Sequence, residues 1–74
     1  MARLPGISGR DAVQVFERYG WRMVWQRGSH MIMTKPGETE VLSVPNHREL
    51  KRGTLRGLIR KAGLDVETFL TLLR

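Results

Sequence analysis

The sequence predicts an α+β fold in the order α-β-β-β-α with a short C-terminal helix, a three-stranded antiparallel sheet packed on helices. Three observations carry this. Apolar residues recur at helical spacing before Gly20 and again after Thr54. Between those stretches the apolar period falls to two, and the two connections inside the middle stretch are hairpin-sized. With 74 residues the chain has room for one domain, expected to span 1–74. A domain this short buries only about 60% of the surface of its unfolded chain.

The first helix starts at Ser8, a capping residue, with Asp11 three positions on in capping-box spacing. Ala12, Val15, Phe16 and Tyr19 follow at i, i+3, i+4 and i+7, giving one apolar face. Gly20 is placed to end the helix in a left-handed conformation. From Trp21 the pattern becomes that of a strand: Trp21, Met23 and Trp25 alternate with Arg22, Val24 and Gln26, although Val24 blurs which face is buried. Arg27-Gly28-Ser29 is a turn, and a second strand runs from His30 to Thr34. Pro36-Gly37 has the order a type II turn prefers. The third strand is expected from Glu40 to Val44, closed by Pro45, which cannot donate to a ladder. After a loop over residues 46–52, a second helix is capped by Gly53 or Thr54, carries Leu55, Leu58, Ile59 and Ala62 on its apolar stripe, and ends at Gly63. Asp65 caps a last short helix with Val66, Phe69, Leu70 and Leu73 inward.

Charge narrows the partner. Thirteen Lys and Arg against seven Asp and Glu give a formal net charge of +6, a balance that suits a polyanion, either nucleic acid or an acidic protein. Arg48, Lys51, Arg52, Arg56, Arg60 and Lys61 are accompanied by one acid, Glu49, so this stretch supplies +5 of that charge. The concentration favours a binding surface over general solvation. The chain has no cysteine and hence no disulfide or thiolate site. It has no apolar run of signal-peptide or membrane-spanning length, so a soluble, cytoplasmic protein with no membrane partner is expected.

His30 and His47 are the two histidines. Histidine as a residue type both gives and takes protons near neutral pH, and RNA cleavage without a metal needs that ability. His30 follows Gly28-Ser29: the glycine lets a phosphate approach the backbone, and Ser29 can hold a phosphate oxygen or orient the ring. By composition alone the same tripeptide reads as a turn followed by a strand-end residue. His47, in Val44-Pro45-Asn46-His47, reads as a second acid or base, or as a loop histidine bonding local backbone; the structural reading is the better bet. Two histidines without Cys and without closely placed carboxylates fall short of a zinc ligand set, so no metal and no cofactor are expected. Gly53-Thr54 opens the basic helix, where free N–H groups and the helix dipole suit a phosphate, with Lys51, Arg52 and Arg56 around that end. Tyr19, Trp21 and Trp25 can stack on bases or fill the core; of the three, Trp25 is the one expected to be exposed.

The element order is that of double-stranded-RNA-binding domains, which use shape and phosphate contacts. Taken in order, Gly6-Ile7-Ser8-Gly9, Gly20-Trp21, Arg27-Gly28-Ser29-His30, Val44-Pro45-Asn46-His47, Lys51-Arg52-Gly53-Thr54-Leu55 and Ile59-Arg60-Lys61-Ala62-Gly63 resemble the HicA family of bacterial and archaeal toxins, from Leu4 to about Leu73. The resemblance implies a double-stranded-RNA-binding-like fold and ribosome-independent cleavage of messenger RNA. It places the family's catalytic histidine at His30, supported by Gly28 and Ser29. RNA contacts are expected from Arg27, Lys51, Arg52, Thr54 and Arg56. The resemblance also implies a cognate HicB-type antitoxin that blocks the active site. Trp21 stands where Phe is usual in the family, Trp25 where the family tends to be polar or basic, and Met31 and Met33 where polar or aromatic residues are common. The alternatives are a non-catalytic RNA-binding module and a basic interaction protein that docks an acidic partner.

Overall fold

Ser8 begins the first element as its spacing predicts. In the computed structural model, which describes residues 3–73, Ser8 is extended and its Oγ accepts the Asp11 N–H at 3.0 Å, starting α1 (Gly9–Arg18). Residues 1, 2 and 74, the ends of the expected 1–74 span, lie outside the described residues. Three strands follow, β1 (Arg22–Arg27), β2 (His30–Thr34) and β3 (Leu42–Pro45), then α2 (Arg52–Lys61) and α3 (Val66–Leu73). The strands form an antiparallel meander in the order β1-β2-β3. This is the expected α-β-β-β-α order with a short C-terminal helix.

The sheet is covered on one face only. Met31, Met33, Leu42 and Val44 alternate along β2 and β3 into a core shared with Ala12, Val15 and Phe16 of α1, Leu55 and Ile59 of α2, and Phe69 of α3. The rings of Phe16 and Phe69 meet at 5.6 Å in a tilted arrangement, which holds α3 against α1. The residues between them on the strands, His30, Ile32, Thr34 and Ser43, point to the open face and stay exposed or half-buried.

Both turns have the conformations their glycines permit. Gly28 is the first of two loop residues, has φ of 58°, and is followed by a residue with negative φ, the pattern of a type II′ hairpin turn. Gly37 has φ of 86°, and the Glu38 N–H returns to the Lys35 carbonyl at 3.0 Å, as a type II turn requires.

Helices α1 and α2 end alike. In α1 the Gly20 and Trp21 N–H groups return to the Glu17 and Phe16 carbonyls. In α2 the Gly63 and Leu64 N–H groups return to Arg60 and Ile59. Each is a Schellman closure with a buried apolar residue just beyond the glycine. The two ends are tied together, because the indole N–H of Trp21 donates to the Ala62 carbonyl at 3.2 Å. At their other ends, the Leu50 N–H donates to Ile7 and the Arg52 Nε to Leu4. The two helices therefore run parallel, starting at one end of the molecule and closing at the other.

Several expected boundaries are corrected. β1 begins at Arg22, because Trp21 is spent on the helix closure and is buried, 1% exposed. β1 also does not alternate simply. Met23 faces Met33 and Trp25 faces Ile32, so Val24 is an extra residue in a bulge, and Trp25 lies on the opposite face from Met23. All six β1 residues are exposed, although α1 touches this strand as well as β3. Tyr19 is the α1 C-cap rather than a core residue; Lys35 Nζ lies 4.2 Å from its ring centroid. β3 starts at Leu42, not Glu40, and Glu40 pairs with Lys61 at 3.6 Å instead. The N-cap of α2 is Lys51, with no side-chain cap, so neither Gly53 nor Thr54 caps it. Burial of Leu50 and its hydrogen bond to Ile7 fix the chain immediately before the helix, and that anchoring, not a capping side chain, sets where α2 starts. Among the described residues no helix is long and apolar enough to cross a membrane.

Two measurements test these ties. Trp21→Phe keeps the ring but leaves the buried Ala62 carbonyl without its donor, an expected cost of about 1–3 kcal/mol. In a domain this size that lowers the melting temperature by roughly 4–8 °C per kcal/mol; an unchanged value would show that the tie carries no weight. Asp65 caps α3 through the Thr68 N–H at 2.7 Å, and the backbone and side-chain hydrogen bonds from Thr68 hold its carboxyl below the ordinary carboxylate value. A lowered folded pKa stabilises above the unfolded value and stops doing so as pH falls through the folded one. Asp65→Asn should therefore melt below wild type at neutral pH, and the gap should close as the pH drops below the ordinary carboxylate range.

Candidate functional site

The turn that ends β1 delivers His30 to a crowded backbone corner. Arg27 and His30 are the paired residues on either side of Gly28-Ser29, and His30 is paired across its other edge with Pro45. All three lie on the open face of the sheet. Pro45 has no N–H to give, so the ladder continues through the next residue: the Asn46 N–H donates to the Ser29 carbonyl at 2.6 Å. The Gly9 N–H then donates to the His47 carbonyl at 2.9 Å. The ends of β1 and β3, the start of β2 and the N-termini of α1 and α2 thus gather at one end of the molecule.

Gly9 is what lets the helix come so close. A Cβ built there would fall inside the carbonyl oxygen of Pro45 and within 3.2 Å of the Met31 side chain. Sequence reasoning placed Gly9 and Asn46 only within a pattern and gave neither a role. The signal for Asn46 was Pro45, since a strand that ends on proline hands its next ladder bond to the following residue.

His30 is exposed, and so is His47. Neither imidazole makes a hydrogen bond among the described residues. The structure holds His47 by its backbone at the same end as His30. Gly28 and Ser29 form the turn itself, with Ser29 engaged through its carbonyl. Arg27 is exposed at the end of β1, and Lys51, Thr54 and Arg56 are exposed at the start of α2. The side chains of Arg27, Lys51 and Arg56 have no ion pair or hydrogen-bond partner among the described residues. Arg52 differs, because its Nε is held by the Leu4 carbonyl at 3.2 Å, which gives it a structural duty at the base of the helix.

Electrostatically this end is mostly basic, with Asp11 in the first turn of α1 and Glu49 just before α2 as its acids. None of the three strands contains Asp or Glu, and α2 has no acidic residue in its first turn. With Lys51 as an N-cap lacking a side-chain acceptor, the helix start presents backbone N–H groups and the positive end of the dipole outward. No three His, Cys, Asp or Glu side chains among the described residues come together as a ligand set. The corner can hold a phosphate near a histidine; it has a proton carrier, cations and backbone donors.

A family model described as HicA toxin of bacterial toxin-antitoxin matches residues 9–64, a span that includes every residue of this corner from Gly9 to Arg56 and stops before α3. Among solved structures, a chain of a toxin–antitoxin complex from Streptococcus pneumoniae is 32% identical, with a TM-score of 0.71, over 78% of this chain and 98% of that one. No curated protein matches.

The glycines give contrasting expectations here. Gly9→Ala must displace Pro45 backbone and should cost about 1–3 kcal/mol or more, with the amide signals of Asn46 and His47 shifting furthest. Gly53 and Gly57 on α2 have nothing within 4 Å of a built Cβ. Alanine at either should stabilise by about 0.5–1 kcal/mol. Thermal melts of the three variants would show these opposite signs.

Proposed function

The chain belongs to the HicA toxin family of bacterial toxin–antitoxin systems, and we propose that it acts there as a metal-independent endoribonuclease on messenger RNA, with His30 as general acid–base. The observation that carries the proposal is the placement of His30: exposed on an open sheet face, between Arg27 and Pro45, at the end where both helix N-termini converge.

In this reading the RNA backbone crosses the corner with a phosphate against Arg27 and the start of α2. A base removes the proton from the ribose 2′-OH, and that oxygen attacks the adjacent phosphorus. The bond from phosphorus to the 5′-oxygen breaks, and an acid protonates the leaving oxygen. The products are a 2′,3′-cyclic phosphate and a 5′-hydroxyl end. Arg27, Lys51, Arg56 and the backbone donors around Gly28 and Gly53 stabilise the charge that builds on the phosphorane. Arg52 and Thr54 lie in the same helix turn and complete the phosphate-facing surface. His30 serves one proton transfer, and His47 is the candidate for the other, since its backbone is bonded into the same corner.

The cognate partner is a HicB-type antitoxin. A surface with no acidic residue on its strands suits an acidic inhibitor as well as it suits RNA, and covering this end would remove His30 from substrate. The relative from Streptococcus pneumoniae, seen in a toxin–antitoxin complex, supports that pairing.

The test is cleavage of messenger RNA by purified wild type and His30→Ala, with product ends mapped. His30 is exposed and without hydrogen-bond partners among the described residues, so His30→Ala should fold and bind RNA while losing cleavage and growth inhibition. If His30→Ala cut at the wild-type rate, the assignment would be wrong. Lys51→Ala should weaken binding across RNA sequences and reduce the slope of log affinity against log salt by about 0.7–0.9.

A further inference from the structure

The bulge at Val24 turns Trp25 out beside the catalytic corner. We infer that Trp25 is a stacking platform for an unpaired base next to the scissile phosphate, so that this nuclease acts on RNA that is single-stranded at the cut. The inference deepens the nuclease reading and rests on it for the position of the phosphate.

Trp25 is 65% exposed, the most exposed large apolar side chain among the described residues. It pairs with Ile32, and the next pair on the same face is Arg27 with His30. The indole thus sits one step of the open face from the histidine, about 6–7 Å along the strand. With Val24, Arg27, Ile32 and Val41 it lines an open groove of about 450 Å³. The groove is open, and Val24, Ile32 and Val41 give it an apolar wall beside the indole, a surface on which a planar base can lie.

Charge identifies the occupant. Arg22 and Arg27 share the outward face with Trp25, and no strand residue is acidic. An aromatic face flanked by cations, with an apolar wall behind it, matches a nucleotide: the base lies on the indole and the phosphates reach the guanidinium groups. A base inside a duplex has both faces covered by its neighbours and cannot use such a platform, whereas single-stranded segments offer theirs freely. The fold by itself suggests duplex recognition; the open face of this chain points to the opposite substrate.

The experiment uses the His30→Ala protein, so that RNA survives, with a short single-stranded oligoribonucleotide and the duplex of the same sequence. Trp25→Thr keeps a β-forming side chain without an aromatic face and should weaken single-strand affinity by about 5- to 150-fold while changing duplex affinity less than 2-fold. Trp25→Phe should restore most of the affinity but abolish the quenching of tryptophan emission by RNA, because Trp21 is buried. Unchanged single-strand affinity in Trp25→Thr, or an equal loss toward duplex, overturns the platform. Cleavage by wild type is scored separately. If wild type cuts nothing yet the single-strand loss is found, the platform stands and the nuclease reading falls.

Discussion

The hydrogen bond from the Trp21 indole to the Ala62 carbonyl is the contact on which the geometry of the opposite end depends. Trp21 closes α1 and its indole also reaches the end of α2, which Gly63 and Leu64 close, so one side chain ties the two helix ends together. Two parallel helices fixed at their C-termini must begin together. Their N-terminal dipoles then point the same way, toward the end of the sheet that carries His30. A Phe at this place would fill the same hole but could not bond the carbonyl; here the larger ring adds a polar tie to a core that is thin for want of residues.

Much of this was legible because it depends on local rules. Ser8, Gly20, Gly28, Gly37, Gly63 and Asp65 each act through their own turn or helix end, and each does what its type and spacing predict. The extent of β2 was clear from the turns that bound it, but its facing was not, because Met31, Ile32 and Met33 are all apolar. The alternation read for β1 failed because the strand is exposed on both faces and bulged. Apolar residues there do not report the core, and Val24, which disturbed the alternation, is the bulge itself. The start of α2 was misplaced for another reason. Its position is set by Leu50 and Ile7 bonding across the molecule, and no local pattern records a contact between segments so far apart in the chain.

The site divides in the same way. His30 and its turn could be placed from sequence, as could the basic helix, but not the fact that they share an end. That depends on Gly9 meeting the Pro45 carbonyl and on Asn46 extending the ladder past proline. Arg52 shows the limit of reading charge from a sequence. It lies in the most basic stretch of the chain, yet part of its guanidinium is committed to the Leu4 carbonyl, while the side chains of Lys51 and Arg56 on either side have no partner among the described residues.

An exposed edge strand with apolar residues on it invites pairing with another chain. β1 has that exposure along its whole length, and the Val24 bulge answers it by interrupting the regular row of backbone donors and acceptors, with Arg22 and Arg27 placing charge at both ends. The same extra residue reverses the facing of every later side chain in the strand. In a regular strand of this same sequence Trp25 would share the inner face with Met23 and be drawn against α1; with the bulge, the indole stands on the open face beside His30. One inserted residue therefore blunts the edge and sets an aromatic surface next to the histidine, which is why the protection of β1 and the proposed choice of an unpaired base have a single structural cause.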